Sequence, residues 1–115
     1  MIKIAVDAMG GDNAPGEIVK GAVDAVTERN DITVCLTGQK DVIEKELSKY
    51  TYKKEQIEIV DAPELIETGE PPVNAIRTKK DSSIVVGMNM VRRGEADAFC
   101  SAGSSGAILV GGQMI

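Results

Sequence analysis

Histidine is absent from the 115 residues, which removes the commonest general base, the Ser-His and Cys-His nucleophile pairs and most zinc sites from this segment. Chemistry here has to come from Asp, Lys, Arg, Ser or backbone amides. Tyr50, Tyr52 and Phe99 are the only aromatic residues, and the net charge is −5. That combination offers neither a basic groove nor base-stacking platforms, so nucleic acid is not an expected partner. No apolar run approaches the ~20 residues that span a bilayer. Residues 1–6 open as a strand rather than as a basic segment followed by an apolar stretch, so no signal peptide is expected. The cysteines are few, Cys35 and Cys100. Each sits in an apolar β-like run where a thiol behaves as a small hydrophobe, and the expectation is two buried, reduced thiols in a cytoplasmic protein rather than a disulfide.

What is present is a hydrophobic share of 43%, enough for one core and one domain. Ile2, Ile4 and Val6 lie in an almost wholly apolar run, as in a strand buried on both faces of a parallel sheet. A glycine turn follows. Asn13 is then a capping candidate and Pro15 a first helical residue before Ile18, Val19, Ala22, Val23 and Val26 recur at helical spacing. Thr33 to Thr37 predicts a second strand broken at Gly38, Asp41 to Lys49 a helix, and Gln56 to Val60 a third strand. From Asp61 to Pro72 the pattern fails, predicting a long loop, with a short helix from Pro72. Asp81 and Ser82 can cap a helix with an inward stripe of Ile84, Val85, Met88 and Val91, ending near Arg92-Arg93-Gly94. Ala96 to Ser101 predicts a fourth strand, and a last helix follows Gly106. Strands alternating with helices imply α/β architecture: parallel pairing through right-handed crossovers, helices on both faces of a doubly wound, three-layer sheet. The last helix stops at Gln113-Met114-Ile115 without a cap, so residues 1–115 are expected to be one domain at the amino-terminal end of a longer chain.

Three places can carry chemistry. Met9-Gly10-Gly11-Asp12-Asn13 follows the first strand, and Ser101-Ala102-Gly103-Ser104-Ser105-Gly106 follows the fourth. Both turns leave carboxyl ends of parallel strands, which is the edge where open α/β sheets bind ligands. Glycine-rich turns of this kind also arise simply because a tight turn needs positive φ. Neither matches a dinucleotide, Walker or nucleophile-elbow motif. The third place is Arg77-Thr78-Lys79-Lys80-Asp81-Ser82-Ser83, where cations and hydroxyls precede a helix; an oxyanion site and an ordinary capped basic turn both fit it. Asp7 and Asp12 can orient a substrate, hold a cation, or merely shape their turns.

Taken together, Ile4 through Pro15, Lys79 through Ser83 and Ser101 through Ala107 strongly resemble the bacterial phosphate acyltransferase PlsX family, in the right order along the whole chain. Pro72, Ala75 and Arg77 also fall where that family has these residues. Ser104-Ser105 stand where the family usually has Asn-Thr, and family members are around three times this length, so the likeness is to their amino-terminal third. The resemblance implies a fold like that of the isopropylmalate dehydrogenases and phosphotransacetylases, and transfer of a fatty acyl group from acyl carrier protein to inorganic phosphate, giving acyl phosphate for phospholipid synthesis. It implies no metal or organic cofactor, a homodimer, and loose peripheral attachment to the inner membrane face.

On that footing phosphate is expected to meet Gly10, Gly11, Asp12, Asn13, Ser101, Gly103, Ser104, Ser105 and Gly106 of the two turns, with Arg77, Lys79, Lys80, Ser82 and Ser83. No residue is assigned a catalytic role, and further groups are expected in the remaining length. The competing reading is a non-catalytic module holding a nucleotide or phosphorylated metabolite, or an inactive fragment of the enzyme. Arg92-Arg93 is a candidate contact for the acidic carrier protein, with a solvated helix end as the plainer alternative.

Overall fold

The computed structural model describes residues 2–9, 14–63 and 81–101. Four strands and three helices alternate there: β1 (Ile2–Asp7), α1 (Gly16–Glu28), β2 (Ile32–Gly38), α2 (Lys40–Leu47), β3 (Ile57–Asp61), α3 (Ser83–Arg92) and β4 (Ala98–Cys100). The strands form one parallel sheet in the order β3-β2-β1-β4. The predicted short helix from Pro72 and the helix after Gly106 lie outside the described residues.

Side-chain alternation along the strands sorts the core into two layers. Ile32, Val34 and Leu36 of β2 face one side with Ile57 of β3, against Val19, Ala22, Val23 and Val26 of α1 and Ile43 and Leu47 of α2. Ala5 of β1 and Cys35 of β2 face the other side, where Met90 of α3, Ala96 and the partly buried Phe99 cover them. Helices therefore pack on both faces of a parallel sheet, the doubly wound α/β arrangement. Pairing of β4 with β1 begins at Asp97, whose amide donates to the Lys3 carbonyl at 2.7 Å while its carboxylate accepts from the Lys3 amide at 2.8 Å.

Several sequence expectations shift in detail. Helix α1 begins at Gly16 with Pro15 in the cap position, and its first turn closes through the Val19 amide on the Pro15 carbonyl. Gln56 belongs to a 3-10 turn before β3, where its buried side-chain amide donates to the Arg29 and Ile32 carbonyls. Helix α3 turns Ser83, Gly87 and Met90 inward together with Ile84 and Val85, whereas Val91 is exposed. A Cβ on Gly87 would stand 2.3 Å from the Phe99 ring, so the helix presents its glycine to β4. Cys35 is buried as expected, but Cys100 is exposed, because β4 is the edge strand among the described residues. Both thiols are free, and strand register sets their side chains on opposite faces of the sheet.

Candidate functional site at the carboxyl edge of the sheet

Strand order reverses beside β1. The chain moves outward through β2 and β3, then returns to place β4 on the other flank of β1. The carboxyl ends of β1 and β4 therefore border a topological switch point, the position where open α/β sheets hold their ligands.

Buried polar groups gather at this edge. Asp7 ends β1 and is 1% exposed. Its Oδ1 accepts from the Met9 amide at 2.9 Å, and its Oδ2 accepts from the Ser101 hydroxyl at 2.7 Å. Thr37, near the end of β2, is fully buried and donates its hydroxyl to the Ser83 carbonyl at 3.0 Å, tying β2 to the first residue of α3. Ser82 caps α3, its Oγ accepting from the Val85 amide at 3.3 Å. The Ala8 amide donates to the Thr37 carbonyl at 2.9 Å and so carries the β1–β2 ladder one step into the turn. Met9 then lies across Gly38, where an added Cβ would meet the Met9 Cγ at 2.6 Å. Gly38 is thus required for close approach of the turn after β1 to the end of β2.

Of the predicted anion-binding set, Ser82, Ser83 and Ser101 are described, and all three lie at this one edge. Ser101 is joined to Asp7, Ser83 to Thr37, and Ser82 serves as a helix cap. Gly10, Gly11, Asp12, Asn13, Arg77, Lys79, Lys80, Gly103, Ser104, Ser105 and Gly106 lie outside the described residues. Asp7 was legible as a turn residue from its place at a strand end; its second bond, to a residue 94 positions away, was not. Thr37 was missed altogether, its only signal being a hydroxyl on the face that its neighbour Cys35 gives to the core. Arg92 and Arg93 lie at the opposite end of α3, where Arg93 Nε pairs with Glu95 at 3.4 Å.

Away from this edge, the Cys35 thiol donates to Glu58 at 3.4 Å, and Lys3 Nζ pairs with the same carboxylate at 3.3 Å. Burial chiefly, with the Glu58 hydrogen bond and charge behind it, pushes the Cys35 thiol up to about 11. Among the described residues no group of three His, Cys, Asp or Glu side chains is placed to hold a metal ion, and no helix is long and apolar enough to cross a membrane.

A doubly wound parallel sheet with polar strand-end turns gathered at its switch point is the architecture of α/β proteins that hold small ligands at the carboxyl edge. The fatty acid synthesis protein family matches residues 2–115, and the chain belongs to that family. It is 50% identical over 114 residues to a phosphate acyltransferase of Clostridioides difficile (strain 630), covering 99% of this chain and 33% of that protein. It is 52% identical over 114 residues to proteins of the same name from Clostridium botulinum (strain Alaska E43 / Type E3) and Alkaliphilus oremlandii (strain OhILAs), covering 99% of this chain and 34% of each relative. The chain thus spans about a third of the length of these curated relatives.

Proposed function

We propose that the full protein to which this segment belongs transfers a fatty acyl group from acyl carrier protein to inorganic phosphate, and that this segment supplies the edge that holds the phosphate. The observation carrying the reading is the junction at the switch point, where one buried carboxylate joins the turn after β1 to the residue after β4. Membership of a fatty acid synthesis family and relatives named phosphate acyltransferase support the choice of reaction.

In this proposal a phosphate oxygen attacks the thioester carbonyl carbon. The carbon–sulfur bond breaks, and the carrier thiolate leaves with the proton that phosphate gives up. The protein's part is to fix the anion against the thioester and steady the developing oxyanion, and orientation alone supplies a large share of such a rate. Backbone amides of Gly10, Gly11, Asp12, Gly103 and Gly106, with Asn13, Ser104 and Ser105, are the proposed phosphate contacts from the two turns. Arg77, Lys79 and Lys80 are the proposed cations; Lys79 and Lys80 stand immediately before Asp81 and the Ser82 cap in the chain. The same reading carries a homodimer in peripheral contact with the inner membrane face, without a metal or organic cofactor.

The test is an assay of the full chain with acyl-loaded carrier protein and labelled phosphate. Acyl phosphate should form one-for-one with free carrier thiol, and Lys79→Ala or Lys80→Ala should raise the KM for phosphate by about 10-fold or more, as expected for loss of a charge-assisted contact. Nucleotide binding without any turnover would replace this reading with a non-catalytic binding module.

A further inference from the structure

A carboxylate withdrawn from water is costly unless its oxygens are hydrogen-bonded. Asp7 is 1% exposed, and among the described residues the turn after β1 engages one of its oxygens: Oδ1 receives the Met9 amide. Serine or asparagine would end a strand in that way without a buried charge. The second oxygen accounts for the carboxylate, since Oδ2 receives the Ser101 hydroxyl at 2.7 Å from across the switch point. An ionised carboxylate only accepts, so the single proton of Ser101 points at Asp7. A carboxylate would also repel a phosphate brought against it.

We propose that Asp7 is a positioning residue that fixes the turns after β1 and β4 at a set separation, and that Ser101 serves the bound anion through this link rather than by donating its hydroxyl to it. The inference rests on the phosphate-holding role proposed above and assigns what each of the two side chains does within it. Each turn follows a strand flanking the switch point, and among the described residues one side chain bonds to the first residues of both, Met9 after β1 and Ser101 after β4. The Asp7 carboxylate reaches both.

The experiment uses the full chain and four variants: Ser101→Ala, Ser101→Thr, Asp7→Asn and the Asp7→Asn, Ser101→Ala double variant. Ser101→Ala should raise the KM for phosphate about 10-fold, the effect of losing one hydrogen bond to a charged acceptor, with little change in the KM for acyl carrier protein. Ser101→Thr, which keeps the hydroxyl, should restore most of the loss. The Asp7→Asn, Ser101→Ala double variant should be no worse than the weaker single variant, because the two side chains act as one unit. Single effects that multiply, an equal rise in both KM values, or a Ser101→Ala enzyme with an unaltered KM for phosphate would overturn the proposal. Should Asp7→Asn fail to fold, hydrogen exchange in Ser101→Ala decides in its place: faster exchange in the peptide that contains Met9 supports the link, and unchanged exchange there overturns it. If the full chain shows no acyl transfer, the proposed function falls, and hydrogen exchange then decides the link by itself. Faster exchange in the peptide that contains Met9 in Ser101→Ala, with β2 unchanged, supports it; unchanged exchange there sinks it.

Discussion

Cys35 carries the clearest perturbation among the described side chains. Its thiol is held neutral by burial and by the Glu58 carboxylate, so it stays protonated up to about 11 instead of the ordinary 9.0. At pH 8 its thiolate fraction is then about one in a thousand, against roughly one in ten for an ordinary thiol, and alkylation of the native protein at Cys35 should be at least about 100-fold slower than after unfolding. The folded state keeps a proton that the unfolded chain gives up above 9.0, so this group contributes stability below that pH and loses it as pH rises toward about 11. Urea midpoints of the native protein and of Cys35→Ala, compared from pH 8 to pH 11, should show a steeper fall in the protein that retains the thiol. Gly87 makes a second prediction at this scale. Helix propensity alone favours Gly87→Ala by up to ~1 kcal/mol, but the new methyl would stand 2.3 Å from the Phe99 ring. Overpacking costs ~1–3 kcal/mol, so the net change should be destabilising and visible as a lowered Tm. Gly87→Ala together with Phe99→Leu should recover part of the loss.

At the scale of elements, α3 was legible because its ends are chemically marked: Ser82 at the start, and Arg92, Arg93 and Gly94 at the finish. The structure uses the start as the sequence implies, with Ser82 Oγ accepting from the Val85 amide in a site of zero exposure. Ser82→Ala should therefore cost about 1 kcal/mol, read from the denaturation midpoint, and Ser82→Thr, which keeps the hydroxyl without adding a charge, should retain more of the cap than Ala. The inward face of α3 was less legible. Helical spacing cannot foresee that a ring from β4 needs room at Gly87. Strands β1 and β2 were readable from their apolar runs, and parallel pairing from the alternation of strands with helices. The side of β1 that β4 would take was not, because no local pattern encodes strand order. The junction of Asp7 with Ser101 was hidden for the same reason: it is made by that order, between residues 94 positions apart. Thr37 escaped notice because a strand-end threonine looks alike whether its hydroxyl meets water or, as here, the Ser83 carbonyl.

At the scale of the molecule, the two layers of core are unequal among the described residues. The α1–α2 face buries large aliphatic side chains, including Val19, Val26, Leu36, Ile43 and Leu47, and β1 pairs with β2 along its full length from Ile2 to Asp7. The α3 face rests on Ala5, Cys35, Met90 and Ala96, and β4 pairs with β1 only from Ala98 to Cys100. Burial contributes roughly 25 cal/mol per Å² of apolar surface, so the face with smaller side chains and the shorter ladder should open at lower free energy. In the 115-residue chain, native-state hydrogen exchange should find α3 and β4 exchanging together, ahead of β1 and β2. The Met9 amide is the discriminating probe. It belongs to the turn after β1, but its acceptor, Asp7, is itself held by Ser101 at the end of β4. Met9 should therefore exchange with the β4 group although it follows β1 in the chain. If it instead keeps the protection of β1, the junction is not what orders that turn, and the α3–β4 half can come away without disturbing the ligand edge.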